Sequence, residues 1–136
     1  MSITDHERPI DPARVAHARS RLPTAEGATR LTGLLSMMAD PVRLRLIYAL
    51  DVSEELCVGD LALALEVSED SVSYALRLLR TAGLVVARKH GRIVYNRLAD
   101  DFPAPLRDYC LRQLIALTYQ AEEGTEHDAD LIETTL

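Results

Sequence analysis

The chain has 136 residues, 48% hydrophobic and 26% charged, which is the size of one compact domain and the composition of a water-soluble globular one. No apolar run approaches the ~18 residues that a membrane span requires. The opening MSITDHERPIDPAR has no apolar leader, so a cytoplasmic location is expected, and two cysteines, Cys57 and Cys110, exclude a disulfide scaffold.

The net charge of −6 argues against a nucleic-acid partner until its distribution is read. Between Ser71 and Ala99 stand Arg77, Arg80, Arg88, Lys89, Arg92 and Arg97 with no Asp or Glu, while the rest of the chain is strongly acidic. A short basic segment sits on an acidic body, and local positive potential is what phosphate recognition needs.

In chain order, residues 1–12 carry two prolines and no apolar period and read as a mobile arm. One domain is expected over 13–120, followed by an acidic tail over 121–136. A short helix is expected from Ala13 to Leu22, closed by Pro23. Helical spacing of Ala28, Leu31, Leu34, Leu35 and Met38 predicts a second helix, from about Ala25 to Met38, with that stripe in the core. Asp40 followed by Pro41 is a helix start, N-cap then N1, leading into a helix that turns Leu44, Ile47 and Leu50 inward.

Val58 to Leu65 predicts a short helix, EVS a turn, and Ser68 the cap of the next helix, which together make a helix-turn-helix. In that next helix Val72, Leu76 and Leu79 form an inward stripe, and Ser71, Ser73, Tyr74, Arg77 and Arg80 fall on the other face. Gly83 marks its end. Two runs rich in Val, Ile and Tyr flank His90 and Gly91 and predict a β-hairpin. After Pro103 and Pro105 a last helix is expected with Leu106, Cys110, Leu114 and Leu117 on its apolar stripe, widened by Leu111 and Ile115. The expected class is mainly α with a small β-hairpin, a winged helix-turn-helix.

A helix-turn-helix followed by a basic hairpin suits double-stranded DNA, because one helix fits the major groove and the hairpin reaches phosphates beside it. Ser71, Ser73 and Tyr74 can donate to phosphates or base edges, and Arg77 can fork onto guanine. Arg80 shares that face, and Arg88, Lys89, Arg92 and Arg97 supply counterion release. No G-x-S-x-G, H-E-x-x-H or phosphate-binding glycine loop is present, so no enzyme is expected, and a Cys57 and His17 nucleophile pair has only its residue types in its favour.

The runs ADPVRLRLIYAL, ELCVGDLALALEVSEDSVSYALRLLRTAGLV and RKHGRIVYNRLAD resemble, in order and spacing, the ArsR/SmtB family of bacterial metal-sensing winged-helix repressors. The resemblance covers about Leu34 to Asp100. It implies a homodimer joined through its N- and C-terminal helices that binds operator DNA when metal-free and is released by metal. Cys57 and Asp60 match that family's site at the first helix of the helix-turn-helix, a site completed by the partner's N-terminal arm. Here the arm offers His6 and His17 but no cysteine. The family's second site, on the last helix, retains Asp100 only, since Phe102, Gln113 and Ala116 occupy its other positions. Cys110 is either a further thiolate, with Asp101 or a group across the dimer, or a small core residue. A thiolate with carboxylate or imidazole suits zinc, cadmium, lead or mercury over magnesium or calcium. A thiol-redox repressor using Cys57 and Cys110, and a protein-docking winged helix, are the other readings the sequence leaves open.

Overall fold

The computed structural model describes residues 8–120; the expected acidic tail and most of the expected N-terminal arm, with His6, lie outside the described residues. The chain divides between Ser36 and Met37 into two units. The first holds α1 (Pro12–Arg21) and most of α2 (Ala25–Met38). Asp11 caps α1 by accepting from the Arg14 N–H at 3.0 Å, and Pro12 takes the N1 position, where its missing N–H costs nothing. Thr24 Oγ1 accepts from the Gly27 N–H at 3.0 Å and starts α2. The expected core stripe of α2 is not a core: Leu31 and Leu35 are exposed, and Met38 is the one buried residue of the helix. α1 buries nothing either, so the first unit has no apolar layer of its own.

The second unit begins its first full helix, α3 (Pro41–Ser53), at the predicted cap, with Asp40 accepting from the Arg43 N–H at 3.0 Å. Leu46, Ile47 and Leu50 are its buried residues, and Leu44, expected inward, is half-buried. The chain then turns at Glu54, held at φ 66° and ψ −62°, a conformation rarely taken by a residue with a side chain. β1 (Glu55–Cys57) follows, then α4 (Val58–Leu65), which buries Leu61, Ala62 and Leu65. Glu66 enters the left-handed region at φ 57° and ψ 43°, and the Val67 N–H reaches back to the Ala62 carbonyl, the wrap that ends a helix. Ser68 Oγ accepts from the Ser71 N–H at 3.1 Å and opens α5 (Glu69–Thr81).

α5 turns Val72, Leu76 and Leu79 fully inward, as the 3.6-residue period predicts, with Ala75 beside them. Its end is a complete Schellman closure: the Leu84 N–H donates to the Leu79 carbonyl and the Gly83 N–H to the Arg80 carbonyl, with Gly83 at φ 76°. β2 (Val85–His90) and β3 (Ile93–Leu98) form the expected hairpin, and Gly91 takes φ 63° in the turn. The sheet nevertheless has three strands in the order β1-β3-β2, all antiparallel, because Glu55–Cys57 pairs along the otherwise open edge of β3. One sheet face buries Val85, Asn96 and Leu98 against the helices.

The last helix, α6 (Leu106–Leu114), is wound as a π-helix and continues as α-helix over 115–120. The wider turn explains why the expected four-residue stripe does not hold: Leu106 and Leu111, five apart, are buried, whereas Leu114 and Leu117 are exposed. Arg107 and Arg112 of α6 both reach the almost fully buried carboxylate of Asp51 on α3, Arg107 by a short hydrogen bond. That pairing answers the cost of burying the carboxylate.

Candidate nucleic-acid interface

The candidate site is a surface built from α5 and the β2–β3 wing, not a pocket. A cavity of about 540 Å³ between α3, α4 and the last helix is lined by Leu44, Tyr48, Val52, Leu56, Leu65 and Tyr119 among others, and none of the expected site residues lines it.

On α5, the buried stripe sends Tyr74, Arg77 and Arg80 to solvent, and Ser73 is half-buried. Ser71, expected as a DNA donor, belongs to the N-terminal cap: Ser68 Oγ donates to its hydroxyl at 3.0 Å and accepts from its N–H. Arg80 folds its Nε back onto the Leu76 carbonyl at 3.3 Å. Among the described residues, the side chains of Arg77, Lys89 and Arg92 are exposed and have no protein partner. On the surface of α5 and the wing, these three are the cations without an internal partner. Arg97 is engaged by Asp100 at 2.7 Å.

Arg88 is also held within the protein, for a reason the sequence does not show. Glu55, 33 residues earlier, takes its guanidinium in a two-pronged hydrogen bond, from Nε at 3.0 Å and from Nη2 at 2.5 Å. The guanidinium lies 4.9 Å from the centre of the Tyr95 ring. Hydrogen bonding to Arg88 lowers the Glu55 carboxyl below the usual carboxylate range, against the opposing push of burial, and the same bond raises Arg88. The pair was hidden because the two strands become neighbours only through β3, which separates them.

Among the expected metal ligands, Cys57 closes β1 and stands at the N-cap of α4, where its side chain makes no capping hydrogen bond. Asp60 lies in the first turn of the same helix and is exposed. Both cysteines are free thiols; Cys110 is half-buried on α6, between the buried Leu106 and Leu111, and His17 is exposed on α1. Among the described residues no three His, Cys, Asp or Glu side chains gather into a group that could hold a metal. Cys57 and Asp60, a thiol and a carboxyl three residues apart, both stand at the start of α4. Among the described residues no helix is long and apolar enough to cross a membrane.

Comparison with known proteins agrees with this architecture. Residues 40–86, from the cap of α3 into β2, match the bacterial regulatory protein, arsR family. The chain is 44% identical over 88 residues, 65% of its length, to a transcriptional repressor SmtB homolog of Synechocystis, and it spans between about half and two thirds of the length of that and two other curated relatives. It is 35% identical to the biofilm growth-associated repressor of Agrobacterium fabrum over 78% of this chain and 86% of that one. The crystal structure of the AntR antimony-specific transcriptional repressor superposes with a TM-score of 0.66 at 31% identity, covering 85% of this chain and 98% of that one. Helix-turn-helix, wing and sequence agree: the chain belongs to the ArsR family of bacterial regulatory proteins, the ArsR/SmtB winged-helix group.

Proposed function

We propose that the protein is a transcriptional repressor that binds operator DNA as a homodimer and is released from it by a thiophilic metal ion: zinc, cadmium, lead or mercury. The observation that carries the DNA-binding part is the division of α5 into a fully buried stripe and an exposed face with Tyr74 and the unpartnered Arg77, joined rigidly to a wing that offers Lys89 and Arg92. Arg77 is the base reader, because a forked guanidinium on a major-groove helix matches the guanine edge. Lys89 and Arg92 sit at the wing tip and take backbone phosphates. Ser73 and Tyr74 add hydroxyl donors, while Ser71 and Arg80 act at the edge of this surface. Relatives named as an arsenical resistance operon repressor, a cadmium resistance transcriptional regulatory protein homolog and an antimony-specific transcriptional repressor support the same reading.

For the metal, Cys57 and Asp60 supply two corners of a site whose remaining donors come from the N-terminal segment of the second copy, with His17 a candidate. Cys57 and Asp60 would hold such a cation, which would tie the start of α4 to the other donors. Cys57 stands at the N-cap of α4 as a free, half-buried thiol with no capping hydrogen bond, so its sulfur is not committed to a partner in the fold. Cys110 is ranked below Cys57 because its neighbours on the helix, Leu106 and Leu111, are core residues.

The test is fluorescence anisotropy of the protein on duplex from its own promoter, titrated with zinc, cadmium, lead and mercury under reducing conditions and then with an oxidant. Release by a metal in the wild type, lost in Cys57→Ser but only weakened in Cys110→Ser, is the expected result. Release by oxidant alone would replace the metal with a thiol switch. No release by any of them would remove the sensor while leaving the DNA reader.

A further inference from the structure

The register of the three-stranded sheet places Glu55 and Cys57 of β1 opposite Arg97 and Tyr95 of β3, which in turn stand opposite Val86 and Arg88 of β2. Alternate residues of a strand share a face, and paired residues share it across strands. Glu55, Cys57, Tyr95, Arg97 and Arg88 therefore all lie on the face of the sheet turned away from the core. There the Glu55 carboxylate holds Arg88 above the Tyr95 ring, and Tyr95 is the cross-strand neighbour of Cys57. On the opposite face the buried Asn96 donates its Nδ2 to the Leu56 carbonyl at 3.2 Å, fixing β1 to the wing between the two outward side chains. Arg88 is thus a wing-strand cation already satisfied across the sheet, and its partner is an oxyanion with two oxygens in a fork, the same chemistry that a DNA phosphate presents.

We propose that Glu55 is an internal substitute for operator phosphate: it occupies Arg88 while the protein is off DNA, and DNA binding displaces it. This rests on the DNA-binding reading above and adds to it a built-in competitor. The wing does not meet DNA with all its cations free; Arg88 changes partners, and when it does, β1 loses its side-chain tie to β2 beside Cys57. The strand bearing the candidate metal ligand is consequently held more firmly in the free protein than in the DNA complex.

The deciding experiment measures DNA affinity by anisotropy across a range of salt, on one promoter duplex and one unrelated duplex, for wild type, Glu55→Gln, Arg88→Gln and the double variant. Circular dichroism checks that each is folded. Each phosphate neutralised adds about 0.9 to the slope of log affinity against log salt. Glu55→Gln should bind several-fold more tightly at low salt, because no displacement is needed. The double variant should lose that gain, since the glutamate acts through Arg88. A gain that survives in the double variant would mean that removing any negative charge helps, and would overturn the competition. So would Glu55→Gln binding no more tightly than wild type. In the wild type, Arg88→Gln should flatten the slope by about 0.9 per protomer yet weaken low-salt binding less than Arg92→Gln does, because part of the Arg88 contact is offset by breaking the internal pair. Equal losses from Arg88→Gln and Arg92→Gln would also overturn it. Wild-type protein that binds neither duplex would remove the DNA-binding reading itself, and this inference with it, an outcome distinct from the others.

Discussion

Leu117→Lys should dissociate the proposed dimer. Leu31 and Leu35 on α2 and Leu114 and Leu117 on the last helix are 47%, 41%, 42% and 59% exposed in the single chain, which leaves nearly two leucine side chains of apolar surface uncovered per copy. Full burial of a leucine contributes about 1.5–3 kcal/mol, so the part of Leu117 still exposed is worth about 1–2 kcal/mol per copy if a second copy covers it. A symmetric interface counts that residue twice, giving about 2–4 kcal/mol, and at 1.4 kcal/mol per decade the dissociation constant should rise at least ~30-fold. A lysine adds the cost of bringing a charge into the contact. Sedimentation velocity over a wide concentration range reads the shift directly. The control is Ile93→Lys at the wing tip, also exposed, which should leave self-association unchanged. A Leu117→Lys protein as dimeric as wild type, or an equal effect from Ile93→Lys, would refute the assignment of the interface to the terminal helices.

Other outcomes follow from single residues. Arg77→Ala should flatten discrimination among operator variants by about 1–3 kcal/mol, whereas Arg92→Ala should weaken every duplex alike, as a panel of point-substituted duplexes would reveal. Glu66→Gly should stabilise the fold by about 0.5–1 kcal/mol in urea titration, since the left-handed strain removed at φ 57° exceeds the backbone freedom that glycine brings to the unfolded chain. Leu76→Ala, at a fully buried position, should cost about 2–5 kcal/mol in the same assay. Because the folded Glu55 carboxyl is held below its unfolded value, its contribution is present above the unfolded value near 4.5 and disappears as pH falls through the folded one. Metal-free Glu55→Gln should therefore show a shallower loss of stability than wild type over that acidic window, and an identical acid profile would contradict the pairing.

How far the sequence could be read depended on the range of the forces involved. The caps at Asp40 and Ser68, the stripe of Val72, Leu76 and Leu79, the stop at Gly83 and the turn at Gly91 are local, and each appears where its residues predict it. β1 was not legible because three residues have no period of their own; the strand exists by pairing with residues some 40 positions later. The same separation concealed the partner of Arg88, so a count of cations overstated how many are free. On α6 the winding is wider than the four-residue spacing assumes, so of the expected stripe Leu106 and Leu111 are buried, Cys110 is half-buried and Leu114 and Leu117 are exposed. On α2 an apolar stripe was read as core, although helical period reports only that a face is apolar and not what covers it. Cys57 and Asp60 were placed correctly at a helix start, while the donors that would complete a site with them do not arise from the described part of one chain.

The closure at Leu79, Gly83 and Leu84 has a consequence for the operator. Leu84 and Val85 are buried, and the Ala99 N–H returns to the Leu84 carbonyl, so the step from reading helix to wing contains no hinge. On the proposed operator, helix and wing would act as a ruler of fixed length. A reader of this kind cannot stretch to suit a sequence; the duplex has to supply the adjustment, and base steps that bend or narrow easily will be preferred even where no side chain touches them. Selectivity at such untouched positions would be the signature of the rigid corner, recorded in the mechanics of the DNA.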